Sequence, residues 1–266
     1  GKTTTIVEAI KFAPENKILL AAFNKEIAQE LTKRVTDERV QCKTLHSLGF
    51  NYIRYAWKNV SVDSNGQRAW GLAQGAAPSA PDNIVRLIAD LHTKVREVAP
   101  FARTTADIAE IAYRFDLLPE SEEKVWNEER VFSAALSAVR EASRPTPVID
   151  FADMIFLPLV QDLVRPWFSL VVVDEAQDMT VAQLELATRS CKKGGRIVVV
   201  GDDWQAIYAF RGADSGSLDR LKTALNAVEL GLTVTYRCPK SHVARCQSIV
   251  SDFTAADVAI EGTILT

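Results

Sequence analysis

Two adjacent carboxylates follow an apolar run in the second half of the chain. Asp174 and Glu175 come directly after three valines, which are typical of the end of a buried strand. One carboxylate can hold Mg²⁺ through water while its neighbour orients and deprotonates an attacking water, which is the division of labour that phosphoryl transfer needs. An isolated Asp-Glu pair is more often a solvated turn, so this interpretation depends on the rest of the chain.

The first residues of the sequence, Gly1-Lys2-Thr3, match the end of a P-loop, G-x-x-x-x-G-K-[ST]. In that loop, backbone amides cradle phosphates, the lysine reaches the β- and γ-phosphates, and the hydroxyl binds Mg²⁺. The tripeptide alone is weak evidence, but the acidic pair downstream is the partner that it requires. Together they predict a site for ATP and Mg²⁺, with Thr3 and Asp174 as the protein ligands of the metal.

A third segment, residues 201–213, reads GDDWQAIYAFRGA. A glutamine at a sheet edge, here Gln205, can sense a γ-phosphate, and an aromatic residue just beyond it can stack on a base. One short loop would then link the nucleotide state to the grip on DNA. The alternative for Tyr208 and Phe210 is a place in the core, which is commoner for aromatic residues next to a strand.

The elements that position these residues follow from the apolar runs. Residues 17–23, 170–173 and 197–200 are short apolar runs, as expected of buried parallel strands. The last two end in acidic residues, where an open parallel sheet places its ligand site. Residues 48–148 instead show helical segments separated by loops rich in Gly, Ala and Pro. The sequence predicts an α/β fold with a parallel sheet and a mostly helical insertion.

The two motifs DEAQD and GDxxQxIYxFRGA together resemble the second and third conserved motifs of superfamily 1 helicases of the UvrD/Rep family. The resemblance implies a RecA-like P-loop NTPase core, ATP hydrolysis, and 3′ to 5′ translocation on single-stranded DNA with unwinding at duplex junctions. It implies catalytic roles for Asp174, Glu175 and Gln205. On the DNA side it implies contacts by Tyr208, Phe210 and Arg211.

Shorter segments resemble the same family on the DNA side. Residues 22–25, Ala-Phe-Asn-Lys, resemble the segment that places an aromatic ring under a base, which assigns Phe23 and Asn24 to DNA. Residues 44–47, Thr-Leu-His-Ser, resemble the TxHS motif, whose histidine contacts the strand. A lone histidine is more often structural, but its place in this motif favours DNA contact by His46. Residues 150–154 are similar to the DFDDM/L segment, with Ala152 replacing an acid.

Residues 235–239, Thr-Tyr-Arg-Cys-Pro, resemble the NYRS motif of the family. The resemblance implies that Tyr236 packs on adenine and that Arg237 reaches the γ-phosphate from the second motor domain. The sequence departs from the motif at two positions: Thr235 replaces Asn, and Cys238 replaces Ser. Thr4 stands in the nucleotide site where several relatives have an Arg against the adenine.

We expect three regions on this basis. Residues 1–47 and 149–228 would form the first RecA-like ATP-binding core, residues 48–148 a helical inserted subdomain, and residues 229–266 the truncated start of a second RecA-like core. Since part of the P-loop and the later motifs are not in the sequence, we expect the chain to be the front part of a helicase. By itself it should hydrolyse ATP poorly.

Composition limits the kind of contact with DNA. The chain has 266 residues, 47% of them hydrophobic and 24% charged, which is typical of a folded globular protein. The formal net charge is −3, so DNA contact must come from local patches and stacking. Four widely separated cysteines resemble reduced thiols, and no signal peptide or membrane-spanning run is visible. We therefore expect a cytoplasmic location and no membrane partner; nothing indicates a protein partner.

Three alternatives remain open from the sequence. The chain could be a P-loop ATPase that acts on RNA or protein, although the TLHS and QAIYAFRG segments argue against it. It could be an ATP-independent DNA-binding remnant, which would not explain the intact phosphate-site residues. Finally, Cys238, His242 and Cys246 are spaced four apart, as on one helical face, and could be zinc ligands, but no fourth ligand lies close by.

Overall fold

A computed structural model of the chain describes residues 1–120, 125–202, 205 and 217–264. The chain forms two compact units. The larger contains Glu15–Leu218, and the smaller contains Gly1–Pro14 together with Asp219–Thr266. The residues predicted to bind nucleotide and DNA are divided between them.

Along the chain as a whole, helices and strands alternate in the first and last parts, and the middle is mainly helical. In chain order the first are α1 (Lys2–Lys11), β1 (Ile18–Ala22), α2 (Lys25–Arg34), β2 (Val40–Thr44), α3 (Leu45–Ala56), β3 (Ser61–Val62), α4 (Gln67–Ala76), α5 (Asp82–Val98), α6 (Thr105–Arg114), α7 (Glu128–Ala142) and β4 (Val148–Ile149). They are followed by α8 (Phe151–Val160), β5 (Phe168–Val173), a 3₁₀ turn (Ala176–Asp178), α9 (Val181–Arg189), β6 (Cys191–Val199), α10 (Ser217–Leu225), β7 (Val234–Thr235), α11 (Lys240–Cys246) and β8 (Thr254–Ala255). None of the helices within the described ranges is both long and apolar enough to cross a membrane.

A four-stranded parallel sheet in the order β2-β1-β5-β6 forms the centre of the larger unit. β1, with the sequence ILLAA, is buried at every position and lies between β2 and β5. A strand covered on both faces needs an unbroken apolar run, which explains its composition. The predicted α/β fold with a parallel sheet is confirmed. β6 begins earlier than the predicted residue 197, because its pairing with β5 extends back to Cys191 across an irregularity.

The helices in the middle of the chain pack around one apolar core. This core runs from Ile53 to Leu157 and is filled by aliphatic side chains of α4, α5, α6 and α7. The two short strands among them, β3 and β4, pair in parallel. Met154, Phe156 and Leu157 of α8 belong to the same core. The helical region therefore packs directly on α8, beyond the boundary expected at residue 148.

α3 and α8 approach each other closely at Gly49. A Cβ atom at this position would overlap the backbone carbonyl oxygen of Met154. Because that oxygen belongs to a helix backbone and cannot move aside, only glycine fits here. The close approach brings the first turns of α3 and α8 together, and His46 and Phe151 lie on those turns.

Buried charges fix the beginning of α8. Asp150 and Asp153 form a capping box at its first turn. The fully buried guanidinium of Arg96 donates to Asp150 Oδ2 at 2.8 Å and to Asp153 Oδ1 at 2.6 Å, and Arg68 Nε donates to Asp153 as well. Burial by itself would raise the pKa of Asp150, but the charge and hydrogen bonds of Arg96 hold that pKa below its ordinary value. The acidic residues of the DFADM segment therefore join α8 to α4 and α5.

The smaller unit contains α1 and a short parallel pair of strands. β7 pairs with β8, with Val234 opposite Thr254 and Thr235 opposite Ala255, and α11 lies between them in the chain. β7 and α11 lie within residues 229–266, where the start of a second RecA-like core was expected.

Candidate functional site

Asp174 and Glu175 lie at the carboxyl end of β5, at the predicted edge of the sheet. The Asp174 N–H donates to the Ala21 carbonyl of β1 at 3.1 Å, and the residue is only 1% exposed. Glu175 is half-buried and has a φ of 52°, in the left-handed region that costs a non-glycine residue about 1 kcal/mol or more. Its N–H donates to Asp174 Oδ1 at 3.1 Å. The sheet edge thus holds two carboxylates in different, fixed environments.

The buried side chain of Gln177 connects this acidic pair to the segment after β6. Its Nε2 donates to Glu175 Oε2 at 2.8 Å, while its Oε1 accepts from the Asp202 N–H at 3.1 Å. The residue is 2% exposed. Gln177 belongs to the DEAQD motif, yet sequence reasoning gave it no role, because its partner at Asp202 is distant in the chain.

Gln205 lies at the end of this hydrogen-bonded chain. Its side-chain amide donates to the Asp202 carboxylate, and its N–H donates to the Asp202 carbonyl at 2.9 Å. The structure therefore brings two predicted catalytic residues, Glu175 and Gln205, into one polar network through Gln177 and Asp202. Three further predicted residues, Tyr208, Phe210 and Arg211, lie outside the described residues.

Phe23 and Asn24 lie directly after β1, at the same edge of the sheet. Asn24 is the N-cap of α2, where its side-chain oxygen accepts from the Ile27 N–H at 2.8 Å. Capping satisfies one of the N–H groups that a helix leaves unpaired, so the oxygen of Asn24 has a structural role. The cap does not use the side-chain NH₂ group of Asn24. Phe23 is half-buried.

His46 lies in the first turn of α3, which Thr44 caps by accepting from the Ser47 N–H at 3.1 Å. The TLHS segment is therefore also a helix start. Burial lowers the pKa of His46, because it disfavours the charged form. Its ring meets the ring of Phe151 edge to face, with centroids 6.3 Å apart.

Phe151 is a candidate that sequence reasoning did not select. It is 59% exposed although the rest of α8 is largely buried. The signal in the sequence is its position directly after the capping Asp150, since the first helical residue of a buried helix often still faces solvent. Together with His46 it forms an aromatic surface at the start of two helices.

The predicted phosphate-binding residues lie at the beginning of α1 in the smaller unit. Gly1 is the N-cap, and Lys2, Thr3 and Thr4 form the first turn. The first N–H groups of a helix have no partners within it and favour anions, so this end of α1 suits a phosphate. The residues thus have the local conformation that the end of a P-loop requires.

Tyr236 and Arg237 follow β7 in the smaller unit, and both are exposed. The Thr235 hydroxyl accepts from the N–H groups of Arg237 and Cys238 at 3.3 and 3.4 Å. An asparagine side chain at this position would offer the same kind of acceptor. The departure from the family motif at Thr235 therefore keeps an acceptor for the turn.

The possible zinc ligands do not share a helical face. α11 begins at Lys240 with Pro239 as its N-cap, so Cys238 lies before the helix that carries His242 and Cys246. The prediction of a common face was wrong because the proline begins the helix two residues later than the spacing implied. Within the described ranges, no three His, Cys, Asp or Glu side chains are grouped as metal ligands.

Comparison with known proteins gives a consistent result. Residues 1–226 match the family model of the UvrD/REP helicase N-terminal domain. The chain is 25% identical to a probable DNA helicase II homolog of Mycoplasma genitalium over 98% of this chain and 40% of that protein. It is 24% identical to DNA helicase IV of Escherichia coli over 80% of this chain and 38% of that protein. It is also 33% identical to the RecBCD enzyme subunit RecB of Mycobacterium tuberculosis, over 39% of this chain and 10% of that protein. The chain thus spans less than half the length of each of these relatives.

Proposed function

We propose that this protein is a DNA-dependent ATPase that moves along single-stranded DNA. The chain belongs to the UvrD/Rep helicase family, and the proposal starts from that fact. The observation that best supports the proposal is the carboxylate pair at the end of β5. Asp174 is buried there, and Glu175 is held in a left-handed conformation. Backbone strain of this kind persists where the surrounding structure enforces it, and it clusters at active sites.

In this proposal, Asp174 and Glu175 divide the work of hydrolysis. Mg²⁺, when bound, would offset the negative charge that develops on the phosphates. Asp174 offers the hard carboxylate oxygen that Mg²⁺ takes in proteins, and Thr3 offers a hydroxyl. Glu175 orients the attacking water and accepts its proton.

The remaining nucleotide contacts come from both ends of the chain. Lys2 contacts the β- and γ-phosphates beside the backbone amides at the start of α1, and Thr4 lies towards the adenine. Tyr236 packs on the adenine, while Gln205 and Arg237 contact the γ-phosphate. These contacts are the ones implied by the family motifs.

DNA is held mainly by stacking, in agreement with a net charge of −3. Phe23, His46 and Phe151 supply rings at the sheet edge and at the starts of α3 and α8. Because burial lowers the pKa of His46, its ring contacts the strand as a neutral group. Asn24 adds its side-chain NH₂ group, and the segment after Gln205 adds Tyr208, Phe210 and Arg211.

The proposal extends to the whole protein. It includes 3′ to 5′ movement and unwinding at duplex junctions. It also includes a first RecA-like core formed by residues 1–47 and 149–228, a helical insertion at residues 48–148, and a second core that starts at residue 229. These features follow the family resemblance.

The test is ATP hydrolysis by the full-length protein with no nucleic acid, with single-stranded DNA, and with single-stranded RNA of the same length. The proposal predicts strong stimulation by DNA. A P-loop ATPase directed at RNA or protein would show no preference for DNA. A DNA-binding remnant would bind the strand without hydrolysis, and either result would contradict the proposal.

A further inference from the structure

Gln177 is buried between two segments that have different tasks in the proposed reaction. On one side lies the carboxylate of Glu175, the proposed base, and on the other the backbone of Asp202. Asp202 in turn accepts a hydrogen bond from the side chain of Gln205, the proposed contact to the γ-phosphate. One side chain therefore lies between the two groups that face the terminal phosphate.

The chemistry of its partners fixes how this amide is oriented. A carboxylate only accepts hydrogen bonds and a backbone N–H only donates, so the NH₂ end must face Glu175 and the oxygen must face Asp202. Both ends of the amide are used, at 2.8 and 3.1 Å. Such hydrogen bonds weaken outside about 2.7 to 3.2 Å, so a shift of Asp202 either breaks its bond to the amide or moves the amide relative to Glu175.

Gly201 lies directly beside the oxygen of the Gln177 amide. A Cβ atom at residue 201 would lie 2.9 Å from Gln177 Oε1 and 2.9 Å from Leu218 Cδ1. Gly201 is not among the residues with positive φ, so the reason for glycine here is space. A side chain at residue 201 would therefore displace the ends of Gln177 and Leu218.

We infer that Gln177 is a positioning residue, which holds the Glu175 carboxylate in the orientation for attack and ties that orientation to the segment beginning at Gly201. The inference rests on the proposed function, because it gives Glu175 the role of the base. When the γ-phosphate or DNA moves the Asp202 and Gln205 segment, the Gln177 amide transmits the shift to Glu175. Hydrolysis and DNA binding are coupled through one hydrogen-bonded side chain.

Two substitutions separate the two ends of the amide. Gln177→Glu keeps an oxygen for the Asp202 N–H but replaces the donor that faces Glu175 with a second carboxylate oxygen. Gln177→Leu removes both hydrogen bonds at similar volume. Gln183→Leu is the matched control, since Gln183 is a half-buried glutamine in the capping box of α9 whose hydrogen bonds in the described structure go to Thr180 and not to Glu175 or Asp202.

The experiment measures ATP hydrolysis by the full-length protein with and without saturating oligo-dT, together with the affinity for a non-hydrolysable ATP analogue and the melting temperature. Both Gln177 variants should bind the analogue normally. Their kcat should fall by about tenfold to a hundredfold, which corresponds to the loss of one hydrogen bond to a charged group. Both variants should also lose most of the fold stimulation by DNA, because neither has a donor that joins residue 177 to Glu175. Gln183→Leu should lower only the melting temperature.

The outcomes separate this inference from the proposed function. If Glu175→Gln abolishes hydrolysis while Gln177→Leu behaves like the wild type or like Gln183→Leu, the positioning role is overturned and the proposed function stands. If Glu175→Gln itself keeps normal hydrolysis, the positioning role and the assignment of Glu175 as the base are both overturned, while stimulation by DNA still tests the proposed function. Should Gln177→Leu fail to fold, normal kcat in Gln177→Glu would be sufficient to reject the inference.

Discussion

Phe151 is exposed although it belongs to a helix that is apolar at almost every position. Its ring is 59% accessible and meets His46 edge to face, while the following residues of α8 are buried. The ring therefore contributes little to the core and offers a face to a ligand. Stacking on a base is the contact that such a ring provides without sequence preference.

We predict that Phe151→Ala and Phe23→Ala each weaken the binding of oligo-dT by about 1 to 3 kcal/mol, the usual range for a ring that stacks on a base. Fluorescence anisotropy gives the affinity, and the melting temperature of each variant shows whether the fold is intact. Tyr55→Ala is the control, because Tyr55 is 70% exposed near the far end of α3 from His46. Equal losses of affinity in all three variants would contradict the assignment.

The sequence indicated some of the candidate site residues and not others, for a physical reason. Asp174 and Glu175 could be predicted because their signal is local, two acids after an apolar strand. The role of Gln177 depends on Asp202, and that of Phe151 on packing between α3 and α8. Contacts between residues distant in the chain leave no mark in local patterning.

At the scale of elements, the start of α8 depends on a buried cluster of charges. Arg96 bonds to both capping carboxylates of α8 and has no exposed surface. Removing one partner of such a cluster leaves buried charges without compensation. The position of α8, and with it that of Phe151, therefore depends strongly on this arginine of α5, which Arg68 assists at Asp153 only.

We predict that Arg96→Met lowers the free energy of unfolding by about 3 to 5 kcal/mol, the usual cost of breaking a buried ion pair from one side. Urea unfolding followed by circular dichroism measures the change. Arg144→Met is the control, because Arg144 pairs with Glu141 at an exposed position, and such pairs contribute little. A similar loss in both variants would show that burial of the cluster is unimportant.

The strands show which elements can be predicted from apolar runs in the sequence and which cannot. β1 and β5 were predicted because they are buried and consist of short apolar runs. The early part of β6 was not, because its sequence, Cys-Lys-Lys-Gly-Gly-Arg, has the composition of a turn and lies mostly exposed. β6 extends back to Cys191 because its backbone pairs with β5, and its own side chains do not indicate a strand there.

At the scale of the whole molecule, His92 makes stability depend on pH. Burial, followed by the charge of Arg96, lowers the pKa of His92 to about 3. Its Nε2 lies 3.0 Å from the Ala69 carbonyl. Because a carbonyl only accepts, Nε2 carries the proton in the neutral ring. A second proton would have to be added at Nδ1, which is buried without a hydrogen-bond partner among the described residues.

We predict that the free energy of unfolding falls as the pH is lowered from 7.5 to 5. The unfolded chain binds a proton at His92 below about pH 6.5 while the folded chain does not, so stability is fully present above that value and is lost towards the folded pKa. His92 contributes a slope of up to about 1.4 kcal/mol per pH unit. Urea unfolding at several pH values should give a smaller slope for His92→Gln. An unchanged slope would contradict the prediction.

Turnover in Glu175→Gln tests the account most directly, because the substitution removes the proposed base and keeps its shape. In the full-length protein we expect normal binding of an ATP analogue and a DNA-stimulated kcat lower by about 10² to 10⁴, the usual contribution of a general base. Glu185→Gln is the control, since Glu185 forms a partly exposed pair with Arg189 on α9, and it should keep normal turnover. Turnover near the wild-type value in Glu175→Gln would contradict the assignment of this carboxylate as the base.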